Sequence, residues 1–595
     1  MHLNTMAGRV FARPTGAKLG ITLLTAAFLA TATWAKPEME SKADFSVRQQ
    51  LALSKSSGWT SVIIKLRSQL TSEQSKQLTL LDADTYRHLP IVQSLAVRIP
   101  NRNLRALAEL PFVERLSTDS KMRKYDEFTT GRSGAMAAFQ QYGLTGNGVT
   151  VAVVDSGIDD HDDLNDPATG LSRVLTSVSF VPSNSNPGDL CGHGTHVAGI
   201  IAGNGASSSG NGYTHTFLGV ARKSNLVNVR VLDAFGRTDA STVIASLQWV
   251  MNNRKKYGIR VVNMSLGHSV GESYTTDPLC QAVEQLWKNG VVVVVAAGND
   301  GRKSDLDNPF SNDNEGYGTS YGSIGSPGND PYVITVGAMK SVDGQRAHDT
   351  IATYSGRGPS RLDYIVKPDI VAPGNKVISL RKPLSFLELT GPTSIIPVSS
   401  YRPNAPFWQM SDYFELSGTS MATPVVSGAV ALMLQSNPNL SPDTIKARLM
   451  ATADKWKMPN GQSDITAYGS GYLDIVGALS SKITASQSAR SPYMKRDSSG
   501  NAFVALDGVW GERAMWGTGQ GLDVIFGTNV IAPDQMIFGS RAMWGNNEVW
   551  GNRAMWGTDQ FRLNLGVITL FGESSPPNPS HRVRRPPSAG ALFCF

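Results

Sequence analysis

Hydrophobic and polar positions change their spacing as the chain proceeds. Over 43–124, short patches of both periods alternate. Residues 62–66 (Val-Ile-Ile-Lys-Leu) and 94–99 (Ser-Leu-Ala-Val-Arg-Ile) read as strands, 72–81 and 103–110 as helices, and 113–116 as a closing strand. Asn101 or Asn103 suits the cap of the second helix, and Pro111 its stop. That order predicts a small α+β unit, a ferredoxin-like β-α-β-β-α-β split sheet. From 125 to 482 the rhythm lengthens. Nearly continuous apolar runs at 149–154, 226–231, 261–264 and 291–297 alternate with helical stretches at 196–202, 240–252, 280–289 and 421–435. Strands without a polar face are buried on both sides. The larger unit is therefore predicted as α/β, a parallel sheet flanked by helices.

The ends read differently. Arg9, Arg13 and Lys18 precede a short apolar run at 19–32 that closes on the small residues Ala30, Ala32 and Ala35. This is the pattern of an export signal over 1–35, and the run is too short to span a bilayer. Residues 483–500 are polar and rich in Ser and Arg, as a linker would be. Within 501–572, Val509-Trp510-Gly511-Glu512-Arg513-Ala514-Met515-Trp516-Gly517 recurs as Val549-Trp550-Gly551-Asn552-Arg553-Ala554-Met555-Trp556-Gly557, with a partial copy at 541–545. Such spacing predicts a β-rich or irregular repeat region. The last stretch, 573–595, is rich in Pro, Ser and Arg and reads as a disordered tail.

With 595 residues the chain exceeds a single compact core, so several domains are expected. A formal charge of +7 over that length is mild, and no dense basic stripe is interleaved with aromatics, which argues against a nucleic-acid partner. The cysteines are Cys191, Cys280 and Cys594. A core this large needs no disulfide framework, and sequence leaves open whether Cys191 pairs with Cys280.

Three short stretches offer an Asp, a His and a Ser in that chain order: Val153-Val154-Asp155-Ser156-Gly157, His193-Gly194-Thr195-His196 and Gly418-Thr419-Ser420-Met421-Ala422. A serine hydroxyl is a poor nucleophile until a base takes its proton. The base in turn needs a buried carboxylate to fix its tautomer. Asp155 ends an apolar strand, His193 sits between glycines before a helix, and Ser420 precedes a helical run with Pro424 near its start. Donors for an oxyanion are the Ser420 N–H and the Asn299 side chain. Alone, each stretch is weak: an Asp-Ser-Gly is commonly a turn, and Gly-Thr-Ser-Met-Ala can merely cap a helix. His193 and His196, three apart with no third ligand nearby, do not make a metal site. His196 reads as structural. Their joint order on strand and helix ends of one α/β unit is what carries weight.

Residues 125–478 closely resemble the subtilisin-like serine peptidases, the subtilases. The likeness is carried by Val153-Val154-Asp155-Ser156-Gly157-Ile158, the stretch 192–203, Asn263-Met264-Ser265-Leu266-Gly267, the stretch 294–299, Lys367-Pro368-Asp369-Ile370-Val371-Ala372-Pro373-Gly374 and the stretch 417–428. It implies a subtilisin-like catalytic domain and endopeptidase action on extended protein or peptide chains, with no cofactor needed for the chemistry. It also implies Ser265, Leu266 and Gly267 as the edge that pairs with substrate, and Ala296, Ala297 and Gly298 as walls of the primary specificity pocket. Asp163 resembles a calcium-binding position of many subtilases, so a structural calcium ion is an expectation, although the loop 204–217 lacks a clear ligand set. The unit at 43–124 is similar to subtilase propeptides, which act as intramolecular inhibitors, and self-cleavage is expected within 119–130. Segments 300–323 and 381–414 look inserted beside the site. The Trp-Gly repeats resemble tails of secreted bacterial subtilases and suggest contact with the cell envelope.

Two rivals stand beside a secreted, self-processed serine endopeptidase. One is a surface-binding protein on an inert protease-like scaffold. The other is a lipase or esterase, which would want Gly-x-Ser-x-Gly and the order Ser, Asp, His; neither appears around Ser420.

Overall fold

The computed structural model describes residues 58–511, apart from 120, 125–133, 183, 304–316, 342–345, 407, 457–463, 497, 499–501 and 507, together with 42, 43, 47 and 51. The signal region, most of the repeats and Cys594 lie outside the described residues.

The N-terminal unit is an antiparallel sheet in the order β2-β3-β1-β4, built from β1 (Trp59–Leu66), β2 (Asp84–Leu89), β3 (Ser94–Pro100) and β4 (Val113–Thr118). Helix α1 (Ser72–Leu80) starts at a capping box on Thr71 and Gln74, and α2 (Leu104–Glu109) follows β3. Alternation along β1 and β3 explains the layering. Val62, Ile64, Leu95 and Val97 share a core with Leu78, Leu104 and Leu107 of the helices. Ile63 and Ala96 point to the other face and join the core of the larger unit.

A short strand, β5 (Lys121–Lys124), leads out of this unit, and α3 (Ala135–Tyr142) opens the next. The central sheet comprises β6 (Thr150–Asp155), β7 (Val174–Ser179), β8 (Asn225–Arg230), β10 (Ile259–Met264), β12 (Val292–Ala296), β15 (Ile334–Lys340), β16 (Thr350–Ile351) and β17 (Ile370–Pro373). Its order is β16-β15-β12-β10-β6-β8-β7, with β17 also on β15, and every pairing except β15–β16 is parallel. Both faces are covered. Val151, Val153, Val261 and Val294 meet α4 (His193–Ala202) and α8 (Thr419–Ser436) on one side. Ala152, Val154, Val262 and Val295 meet α5 (Ala240–Asn253) and α6 (Pro278–Lys288) on the other. That layout is a parallel sheet flanked by helices, as the uninterrupted apolar strands predicted.

Smaller ribbons complete the unit: β9 (Arg237–Asp239) and β11 (Leu266–Gly267) on either side of β5, β13 (Arg302–Lys303) with β14 (Tyr317–Thr319), and β18 (Val377–Leu380) with β19 (Tyr413–Leu416). Between β18 and β19 lies α7 (Phe386–Thr390), held by a two-pronged Arg381–Glu388 pair at 2.7 Å. After α9 (Pro442–Thr452) the chain keeps packing where a linker was expected. Strand β20 (Tyr493–Arg496) pairs with β21 (Ala502–Ala505). Ala489, Met494, Val509 and Trp510 are buried against Val366, Ala447 and Met450. Among the described residues no helix is long and apolar enough to cross a membrane.

Candidate active site

Three neighbouring parallel strands deliver the site. Register aligns Val154 of β6 with Met264 of β10, and Met264 with Val295 of β12. Asp155, Ser265 and the Ala297-Gly298-Asn299 turn therefore emerge in a row at the carboxyl edge of the sheet, where open α/β sheets form their crevices.

His193 is the first residue of α4. Gly192 precedes it with φ 91°, a conformation that favours glycine, and a Cβ on Gly194 would lie 2.1 Å from the Gly157 carbonyl oxygen. The helix mouth is thus pressed onto the end of β6. There His193 Nδ1 lies 2.7 Å from Asp155 Oδ1, both side chains fully buried. The same oxygen accepts from the Ser156 N–H at 2.7 Å. Asp155 Oδ2 and His193 Nε2 have no hydrogen-bond partner.

Asp189 sets this loop. Its Oδ1 accepts from Ser156 Oγ, Cys191 N–H and Gly192 N–H at 2.9, 3.1 and 2.7 Å, and its Oδ2 from Thr195 N–H at 2.8 Å. Burial pushes its carboxyl up while these donors pull it down. Sequence reasoning missed Asp189, because its donors are backbone groups that no spacing displays.

Ser420 lies in the first turn of α8, which packs on α4. Its Oγ donates to the Ser265 carbonyl at 3.1 Å and is not bonded to His193. Ser265 Oγ answers by donating to the Ser420 carbonyl at 2.7 Å. Behind them Ser427 Oγ donates to Asn263 Oδ1, and Asn263 Nδ2 to Ser265 Oγ, at 2.8 and 3.1 Å. Asn263, a lone amide in an apolar strand, was the legible signal for that relay. Asn299 Oδ1 accepts from Thr419 N–H and Oγ1 at 3.0 and 3.1 Å, which turns the amide's NH2 edge the other way. Gly298 N–H also donates to Thr419 Oγ1, at 3.1 Å, so the wall Ala296-Ala297-Gly298 is tied to the Ser420 turn.

Leu266 and Gly267 form β11, which pairs antiparallel with β5: Leu266 with Lys124, Gly267 with Arg123. On its other side β5 pairs with β9, Arg123 opposite Arg237. The end of the N-terminal unit is thus a middle strand in front of the site. Just before it, Asp119 accepts from Ser241 N–H and Oγ at 2.9 and 2.7 Å at the start of α5, and from Tyr86. Burial raises the Asp119 carboxyl.

The Asp163 position does not fit a calcium ion. Its carboxylate is fully buried, with Oδ1 accepting from Ser207 N–H at 2.7 Å and Oδ2 from the Tyr413 hydroxyl at 2.8 Å. Its carbonyl takes the Arg173 guanidinium at 2.7 Å. Calcium wants six to eight oxygens, whereas proton donors already fill this carboxylate and a cation lies beside it. Among the described residues no cluster of His, Cys, Asp or Glu is built to hold a metal. The acidic stretch 305–315 lies outside them. His196 Nε2 faces the Val377 and Phe414 carbonyls at 3.2 and 3.0 Å. Cys191 and Cys280 are buried, with no disulfide between them. Helix α7 lies on the His193 loop, Phe386 N–H and Leu387 N–H donating to the Leu190 and Cys191 carbonyls at 3.0 and 3.1 Å.

Comparison with known proteins gives the site its context. Residues 146–472 match the subtilase family (peptidase S8). Serine protease AprX of Bacillus subtilis is 38% identical over 342 residues, 56% of this chain and 67% of that protein. Alkaline elastase YaB of a Bacillus species is 31% identical over 405 residues (68% and 84%), and subtilisin E of Bacillus subtilis 33% over 366 residues (61% and 76%). Among solved structures, fervidolysin from Fervidobacterium pennivorans, a keratinolytic enzyme related to subtilisin, superposes with a TM-score of 0.52 at 20% identity. The match covers 76% of this chain and 68% of that one, a likeness of fold. The chain belongs to the subtilase family and is a serine-type endopeptidase.

Proposed function

We propose that this endopeptidase is exported, cuts itself free of its N-terminal unit, and works through Asp155, His193 and Ser420. Asp155 holds the imidazole by its Nδ1–H and steadies the charge that forms on it. His193 Nε2 takes the Ser420 proton as Oγ attacks the peptide carbonyl, then gives it to the leaving amine, and water resolves the acyl-enzyme. For this step the Ser420 hydroxyl leaves the Ser265 carbonyl and turns to Nε2, which frees that carbonyl for the incoming chain. Catalytic hydrogen bonds are commonly incomplete before substrate arrives. The Asn299 amide and the Ser420 N–H receive the oxyanion. Ser265, Leu266 and Gly267 bind substrate backbone as an added strand, a mode indifferent to side chains, and Ala296, Ala297 and Gly298 wall the pocket for the residue before the scissile bond.

The observation that carries this reading is the buried 2.7 Å His193–Asp155 pair, set in the same strand-end row as Ser265 and Asn299. The pairing of β5 with β11 supports residues 43–124 as a propeptide that inhibits by occupying the substrate edge. The signal at 1–35 and envelope contact by the repeats are part of the same proposal, as is the division at 482 between peptidase domain and tail. Calcium is not needed for the chemistry.

Casein clearing by the secreted protein, with and without a sulfonyl fluoride, is the test. Clearing that the reagent abolishes, together with a Ser420→Ala chain that clears nothing and accumulates uncut, is the expected result. Matured protein that leaves casein intact supports the inert surface-binding reading. Normal trimming of Ser420→Ala refutes self-processing.

A further inference from the structure

A buried charged cluster outside the triad joins the C-terminal segment to the substrate pocket. We infer that residues 489–492, locked by Trp510 of the first Trp-Gly copy, fix the loop that backs this pocket, and that Ser491 and Trp510 are positioning residues for peptide binding. This deepens the protease reading above and rests on its pocket assignment. The loop is 325–333, and its first part meets the site on two sides. Gly325 N–H donates to the Ala297 carbonyl at 3.3 Å, and a Cβ on Gly328 would lie 3.1 Å from the Ala296 carbonyl oxygen. Ser326 and His268, the residue after β11, exchange backbone hydrogen bonds at 2.8 and 2.9 Å. The loop therefore reaches from the pocket wall to the end of the substrate edge.

Buried ammonium groups hold its second part. Lys446 Nζ donates to the Pro331 and Val333 carbonyls at 2.7 and 2.9 Å, and Lys367 Nζ to the Val333 carbonyl at 3.1 Å. Both lysines are fully buried and pair with Asp369, at 3.2 and 2.7 Å. Such charges are costly in an interior unless each is paired and hydrogen-bonded. Ser491 completes the set. Its Oγ accepts from Lys446 at 2.8 Å and donates to Asp369, and its N–H donates to the Pro331 carbonyl at 2.7 Å. Two turns stiffen the loop between its parts: Asn329 N–H donates to the Gly325 carbonyl at 3.0 Å and Asp330 N–H to the Pro327 carbonyl at 3.1 Å. A second route runs from Lys367 Nζ to Thr335 Oγ1 at 2.9 Å, and from that hydroxyl to the Gly328 carbonyl at 2.6 Å. A shift at Ser491 is thus passed to Ser326 and Gly328.

The residues on either side of Ser491 are gripped as well. Trp510 Nε1–H donates to the Arg490 carbonyl at 2.6 Å, and Val366 N–H to the Pro492 carbonyl at 2.7 Å. The indole is buried with Ala489 and Met494 against Val366, Ala447 and Met450. Tryptophan joins a large apolar body to one polar handle, and here the handle fixes the residue next to Ser491. The segment beyond 482 thus serves the peptidase. It acts on the pocket and the substrate edge, so its loss should weaken the hold on an extended chain more than it slows proton transfer.

Kinetics of Ser491→Ala and Trp510→Ala, each expressed as the full chain and counted by fluorophosphonate titration, test this. KM for an extended peptide should rise about tenfold with kcat reduced less than about threefold, the pattern of lost ground-state binding. Peptide hydrolysis should fall about tenfold relative to hydrolysis of p-nitrophenyl acetate, which is too small to span the pocket. Ser491→Thr, which keeps the hydroxyl, should restore most of the KM. If Trp510→Ala does not fold, Trp510→Phe, which keeps a ring and loses the donor, carries the same expectation at smaller size. A lower melting temperature with an unchanged peptide KM makes the segment a stabilising patch only and overturns the inference, as does an equal loss on peptide and ester. Both results leave the protease reading standing. Wild-type protein that neither titrates nor cuts overturns that reading and this inference with it.

Discussion

Asp155 and Asp163 lie eight positions apart, and both are buried to the last atom. Their surroundings give them opposite work. Asp163 has both carboxylate oxygens taken by uncharged donors, Ser207 N–H and Tyr413 OH, and joins the strand β19 to the turn that follows α4. Asp155 gives one oxygen to His193 and Ser156 and leaves the other without a hydrogen bond. A saturated buried carboxylate is a strut. An unsaturated one facing an imidazole is a charge held in reserve for the moment that ring becomes positive. Burial alone did not separate the two; the donors did.

Substitutions at each carboxylate or at its donor break the comparison most sharply. Asp155→Asn keeps the shape but not the tautomer control, and kcat should fall by about 10⁴, the scale found for that change in trypsin-like enzymes. Peptide hydrolysis per folded molecule measures it, and a loss under tenfold contradicts the role. Next in size is Asn299→Ala, where turnover should drop roughly 100 to 1000-fold with KM little moved. That magnitude is the one known for subtilisin itself, a member of the same family.

At the strut the effect should be on stability alone. Tyr413→Phe removes the hydroxyl that lies 2.8 Å from Asp163 Oδ2 and 2.7 Å from Ser208 Oγ, and should cost about 1–3 kcal/mol in denaturant unfolding. Activity per folded molecule should not change, and the cost should be the same with a calcium chelator present. A cost that appears only in calcium means the position binds the ion after all.

The smallest effect concerns another buried charge. Lys446 donates to the Pro331 and Val333 carbonyls and to Ser491, and burial pushes its ammonium down to about 7 from 10.5. Between those values the unfolded chain holds a proton that the folded one has lost, so this group makes stability rise with pH from about 7 to about 10.5. Lys446→Met should flatten that slope in thermal melts. An unchanged slope assigns it to other groups.

Much of this was legible in advance where hydrophobicity is continuous. Strands β6, β10 and β12 are apolar runs, and their ends could be counted to Asp155, Ser265 and Asn299. Helix starts were less legible. The apolar pattern opened at 196 and 421, whereas the helices begin at His193 and Thr419. Glycines there weaken the local signal, and distant groups such as Asp189 and Asn299 satisfy the first N–H groups. The packing of 483–500 was illegible for a similar reason. Its serines resemble a linker, but Ser491 is buried on Asp369 and Lys446, and a few apolar anchors suffice to pin the segment. Trp510, in the first Trp-Gly copy, packs into the peptidase and donates its Nε1–H to the Arg490 carbonyl at 2.6 Å.

Active-site labelling examines the shared action of the three side chains most directly. The matured enzyme should take up one equivalent of a fluorophosphonate, with the added mass on the peptide containing Ser420, and lose all peptidase activity in step. His193→Ala should stay unlabelled. Full hydrolysis by protein whose Ser420 is blocked, or equal labelling of His193→Ala, would contradict the account.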